Sequence, residues 1–261
     1  MTRMPLIFFG HGSPTNAIDD NDVTRCWRAI ADSMERPRAI LCVSAHWFTQ
    51  GTAVTGMAAP PTIHDFGRSL PAALFDVSYP APGDPQLALR IQSLLAPKPV
   101  RIDMDWGLDH GTWSVLTHAF PDADIPVVQL SIDAKLTPAE HWAIGRALQP
   151  LRDEGVLIIG TGNIVHNLRE MDWANATGAP YDWAVRFNTA MVEAVVADQP
   201  ETVINYHQRG EEAMLSVPHP DHFLPLLYVL GARMPGEAAA VGPDVIHYKS
   251  IGMTSIVFGA H

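Results

Sequence analysis

With 261 residues, 47% of them hydrophobic and 17% charged, the chain has apolar side chains for a sizeable core and is not of disordered composition. A formal net charge of −11 argues against a nucleic-acid backbone or an anionic membrane surface as partner, since both call for clustered Lys and Arg. Two cysteines are too few for a disulfide framework, and neither a signal peptide nor an apolar run of membrane length is visible, so a soluble cytoplasmic protein is expected.

The first predicted element is the apolar run "PLIFFG" at residues 5–10, which leads directly into "HGSP". Helical periodicity follows over residues 20–34. A second apolar run, "AILCVSAHW" at 39–47, holds Cys42 as a small buried hydrophobe and carries His46 near its end. "AAPPTIHDFG" and "YPAPGDP" read as ordered loops over a cleft, and residues 85–95 as a helix. A third apolar run spans 125–132. The clearest helix is "LTPAEHWAIGRALQPL", where Thr137 can cap, Pro138 suits the first turn and Glu140 completes a capping box. Apolar runs at 155–162 and 254–259 enclose a further helical pattern at 181–197. Near-continuous apolar runs are how strands buried on both faces read. Their alternation with helices predicts an α/β fold: a single layered domain over residues 1–261 with a central, largely parallel sheet flanked by helices.

Histidine is over-represented, with twelve in the chain. Ligands of open α/β sheets bind beyond the carboxyl ends of the strands. His11 follows the first strand, His46 the second, and His166 lies just past "VLIIGTGN". Three imidazoles at one kind of address point to a metal centre or an acid–base cluster. Gly10 and Gly12, on either side of His11, permit a tight turn and a close approach that would aim the ring into the crevice, and they equally suit a plain strand end.

Eight segments in chain order, "GHGSP", "SAHWF", "PPTIHDF", "YPAPG", "GLDHGTW", "DADIPVVQLSI", "GNIVHNLR" and "HFLPLLYVLGA", resemble the class III extradiol ring-cleavage dioxygenases, most closely their 4,5-DOPA dioxygenase extradiol branch. The resemblance implies a non-haem metal held by His11, His46 and His222, the last standing where two-His-one-carboxylate relatives carry a glutamate. That exchange leaves a formal charge of about +2 on a divalent ion and its ligands. His219 is the competing ligand, and Glu211 and Glu212 are the nearby carboxylates. It further implies that His166 is the acid–base group taking and returning a catechol proton, and that His110 hydrogen-bonds dioxygen or a substrate oxygen. His64 is the candidate substrate contact, against a reading as a loop histidine paired with Asp65. His118 and His141 fall in helical patterns and read as surface or core-edge residues, while His207, His247 and His261 carry no motif. The implied cofactor is one divalent metal ion, Fe(II) for activity, with Zn(II) able to occupy the site on isolation because it stands higher in the affinity order. The implied partners are a small-molecule catechol and dioxygen, with a monomer and a homodimer equally compatible. An amino-acid substrate would call for an arginine at the cleft mouth, Arg68 or Arg209. Two other readings remain open at this point: a zinc-dependent hydrolase on the same three histidines, and a non-enzymatic relative on the same fold.

Overall fold

Every residue of the first strand, β1 (Leu6–Gly10), is buried, and its side chains divide between two cores. Leu6 and Phe8 join one hydrophobic cluster, Ile7 and Phe9 another. A strand that is apolar on both faces is stable only inside a sheet covered on both sides, and that is the arrangement found. The computed structural model, which describes residues 3–259, continues through α1 (Asp22–Asp32), β2 (Ala39–Thr49), β3 (Thr52–Thr55), α2 (Pro85–Leu94), β4 (Val100–Asp103), α3 (His110–Ala119), β5 (Val127–Asp133), α4 (Pro138–Leu148) and β6 (Val156–Gly162). It ends with α5 (Asp182–Val196), α6 (Pro200–Ile204), α7 (Glu211–Ser216), α8 (Leu224–Ala232), β7 (Ala239–Val241), β8 (Ile246–His247), β9 (Ile251–Gly252) and β10 (Ile256–Phe258). His261 lies outside the described residues.

Eight strands form one sheet in the order β4-β3-β5-β2-β6-β1-β10-β7. The centre, β5-β2-β6-β1, is parallel throughout. Antiparallel pairing enters at the flanks, where β3 meets β5, β10 meets β1, and β7 meets β10. The run at 254–259 therefore supplies a buried strand as expected, but one that lies antiparallel to β1; apolar patterning reports burial and is blind to direction.

Helices α2, α4, α5 and α8 cover one face through residues such as Leu87, Ile144, Phe187 and Leu227. Helices α1 and α3 cover the other through Trp27 and Trp113. The α4 start is built as anticipated: Thr137 and Glu140 satisfy each other's backbone N–H groups in a capping box. Asn21 and Thr24 do the same for α1. Helix α8 is buried along its whole length and packs on both α4 and the sheet. Each fully buried leucine there stabilises the fold by roughly 1.5–3 kcal/mol. Cys42 is fully buried, and burial pushes its thiol up to about 12.

Candidate metal centre

The carboxyl ends of β1, β6 and β2 converge, and each delivers a histidine differently. His11 continues β1: its N–H donates to Gly162 O at 3.1 Å and its carbonyl accepts from Asn16 Nδ2 at 2.9 Å. Both flanking glycines are required sterically. Gly12 adopts a left-handed φ of +61°, and a Cβ on Gly10 would lie 2.5 Å from the backbone of Met253. His46 is not beyond the end of its strand, because β2 runs on to Thr49. Instead it sits in a bulge: Val43 pairs with Leu130 and Phe48 with Ile132, so four residues of β2 stand opposite one of β5. A bulge of this kind re-aims a side chain out of the pleat. Gly111 leaves the room for that ring, since a Cβ there would fall 2.7 Å from His46 Cδ2.

His222 precedes α8 and is held against the end of β6. Asn163 N–H donates to its carbonyl at 2.8 Å, and a Cβ on Gly162 would come within 2.1 Å of that same oxygen. His166, anchored by its N–H to Ser216 O at 2.8 Å, lays its ring flat on His222 with centroids 3.5 Å apart and planes within 4°. His110 is the first residue of α3, next to the N-cap Asp109, and its ring centroid lies 3.8 Å from that of His46. Fully buried Asp109 accepts from Ser44 Oγ at 2.6 Å and Gln129 Nε2 at 2.7 Å, which ties β2, β5 and α3 together beneath the histidines. Burial, with Asp65 next, pushes the Asp109 carboxyl above its ordinary value.

The chemistry of the donor set fits a divalent metal. Nε2 of His11 and Nε2 of His46 face each other at 3.1 Å, and one nitrogen from each of His11, His46 and His222 lies within 4.8 Å of the others. Two imidazole nitrogens bound to one ion at about 2.1 Å stand roughly 3.0–3.4 Å apart for angles between octahedral and tetrahedral. Burial, reinforced by the neighbouring imidazoles, holds His11 and His222 well below the ordinary histidine range and brings His46 to about 3. All three rings are thus neutral at neutral pH, the form that ligates. Burial also lowers His166 to about 4, against the raising effect of Asp221.

The structure therefore gathers His11, His46, His222, His110 and His166 at one place. His64 stands one ring removed: its Nε2 lies 3.0 Å from Val77 O, and it packs against Phe66, whose own ring meets His110 edge-on at 5.5 Å. Its expected partner Asp65 is engaged elsewhere, on His110 and His46. His219 is turned outward, with a side chain 62% exposed and 3.2 Å from Asp221. Glu212 is taken up by Arg186 and Arg209, which removes it as a ligand and Arg209 as a free cation. Arg68 is exposed on the loop that carries Phe66. His141, read as a surface or core-edge residue, is fully buried between α4 and α8, with Nδ1 2.8 Å from the Tyr228 hydroxyl; His118 is half-buried as expected and bonds Asn16 O. Sequence reasoning passed over Asp65 and Asp221 as parts of the site. Their signal was adjacency: each is next in sequence to a histidine of a segment already singled out.

A family model described as the catalytic LigB subunit of aromatic ring-opening dioxygenase matches residues 4–259. The chain is 49% identical to the 4,5-DOPA dioxygenase extradiol of Escherichia coli (strain K12), over 99% of this chain and 96% of that protein. It is 41% identical to the Beta vulgaris protein of the same name, over 86% of this chain and 85% of the relative. The crystal structure of an uncharacterized Escherichia coli K12 protein superposes with a TM-score of 0.86 at 44% identity, covering 98% of this chain and all of the other.

Proposed function

Since the chain belongs to the LigB family of aromatic ring-opening dioxygenases, we propose that it opens the ring of a catechol next to the diol, with dioxygen as co-substrate and ferrous iron held by His11, His46 and His222. The observation that carries this reading is the meeting of three neutral imidazoles at one-metal spacing, two of them buried and that of His46 half-buried, flanked by two further histidines. A bound ferrous ion supplies the electronic contact between a spin-paired ring and triplet dioxygen.

The protein's own groups do the rest. A catechol that binds through both oxygens must lose a proton, and His166, neutral down to about pH 4, is available to accept it and hand it back. Its face-to-face seat on His222 keeps the ring beside the place where a substrate oxygen would arrive. His110 flanks His46 instead, so the two non-ligating histidines serve different edges of the site. Phe66, edge-on to His110, contributes an apolar wall that limits water. DOPA, named in the relatives, is the first catechol to test, and Arg68 is the side chain we assign to a substrate carboxylate. No helix among the described residues is long and apolar enough to cross a membrane, and we place the activity in the cytoplasm.

Anaerobic loading with ferrous iron followed by oxygen uptake with DOPA or another catechol tests the proposal. Stoichiometric uptake with growth of a yellow ring-opened product supports it. Full iron loading without uptake refutes it, and ester hydrolysis by the zinc-loaded protein would replace it with a hydrolase.

A further inference from the structure

Each ligating imidazole has a second nitrogen, and what that nitrogen meets decides which of the two faces the site. Asp65, on the loop between β3 and α2, has one carboxylate and three close neighbours. Its Oδ1 accepts the His110 backbone N–H at 2.8 Å, which fixes the carboxylate against the start of α3. Its Oδ2 lies 3.0 Å from His110 Nδ1 and 3.5 Å from His46 Nδ1. The ring of His110 is turned off the line of an ideal hydrogen bond, so the carboxylate orients the rings through the Nδ1–H dipoles that face it. A carboxylate that accepts a backbone N–H on one oxygen and faces two ring nitrogens with the other is an anion at neutral pH, and an anionic carboxylate only accepts. A ring nitrogen beside it carries the proton, leaving the other nitrogen with its lone pair.

We propose that Asp65 is a positioning residue whose single carboxylate sets the Nδ1–H tautomer of both His46 and His110, so that each presents Nε2 to the site. The inference rests on the metal-site reading only for its consequence; the tautomers themselves exist without metal. For His46 it agrees with the orientation seen, Nε2 facing His11 Nε2 at 3.1 Å. For His110 it assigns a direction: Nε2 is an acceptor and meets a substrate O–H. Asp221 stands in the same relation to His222, with Oδ1 3.1 Å from Nδ1 and anchored by the His222 N–H at 2.8 Å. Among the described residues no carboxylate stands beside the Nδ1 of His11, which is buried. Two aspartates thus place two negative charges just outside three neutral ligands.

The test is long-range 1H–15N NMR on metal-free protein labelled at histidine, paired with zinc affinity by chelator competition. The wild-type protein should show His46 and His110 protonated at Nδ1. Asp65→Asn should mix the tautomers of those two rings, leave His222 unchanged, and weaken zinc about 10–100-fold. Asp221→Asn should move His222, together with the exposed His219 that shares its oxygen, and leave His46 and His110 unchanged. Wild-type rings protonated at Nε2 would overturn the proposal without recourse to any variant. So would an Asp65→Asn protein with unaltered tautomers and wild-type zinc affinity. If wild-type protein bound no zinc at all, the metal-site reading would fail while the NMR spectrum still decided the tautomers.

Discussion

Replacing Gly111 by alanine tests how tightly the floor of the site is packed. In an ordinary helix the change stabilises by at most about 1 kcal/mol, because alanine is the better helix former. Here the added Cβ would lie 2.5 Å from Ser44 Oγ and 2.7 Å from His46 Cδ2, closer than carbon atoms approach in folded proteins. Ser44 cannot turn aside freely, since its hydroxyl donates to fully buried Asp109 at 2.6 Å. Leaving that carboxylate short of a donor costs about 1–3 kcal/mol, and overpacking a filled interior costs a similar amount. Subtracting the helix gain leaves a net loss of about 3 kcal/mol, or roughly 6–12 °C in melting temperature for a chain of this size. If Ser44 stays, His46 is displaced by several tenths of an ångström, and divalent-metal affinity falls about 10-fold or more. Thermal melts of metal-free protein and chelator-competition titrations measure the two effects separately. A variant as stable as wild type with unchanged metal affinity would refute the packing argument at both ends.

His166→Ala should bind metal within a few-fold of wild type and lose about 10²–10⁴ in kcat, the usual worth of a positioned acid–base group; steady-state oxygen uptake beside metal analysis separates the two. His141 gives a stability signal instead. Burial between α4 and α8 lowers it from 6.5 to about 4, so the folded state holds the ring neutral and the unfolded chain takes up the proton first. Its contribution is complete above about pH 6.5 and is lost as pH falls toward about 4, amounting to roughly 3 kcal/mol. Denaturant melts of His141→Gln should accordingly show a shallower fall in stability over that window than wild type, and identical slopes would sink the assignment.

The parallel centre of the sheet was readable because β1, β2, β5 and β6 are buried on both faces and so present unbroken apolar runs. The α4 boundary was readable because its capping signal is local. Helix α8 was not assigned, since all nine of its residues are buried and no polar face remains to reveal a period. Strands β3 and β4 are only four residues long, below the length at which alternation can be told from chance. The direction of β10 depends on its partner and not on its own side chains. Within the site, His11 and His166 were legible from their place after apolar runs, and His46 from its place near the end of one, although the strand runs on past it. His222 was not: it reaches the others through a contact with Gly162, 60 residues earlier, and only the family resemblance pointed to it. The His46 bulge and the double duty of Asp65 arise from pairings across the sheet that no local pattern encodes.

As the proposed ligands, His11, His46 and His222 would couple metal uptake to global folding through their scattered origin. No contiguous fragment shorter than residues 11–222 contains all three nitrogens, and each reaches its place only when β1, β2 and β6 are side by side. A cation bound there recognises the native state and not its pieces. By mass action, ion at about 1,000 times its dissociation constant adds roughly 4 kcal/mol to the free energy of unfolding. The cluster to which we assign the oxygen chemistry would therefore also act as a fastener, joining the first strand of the sheet to the helix that closes its far face.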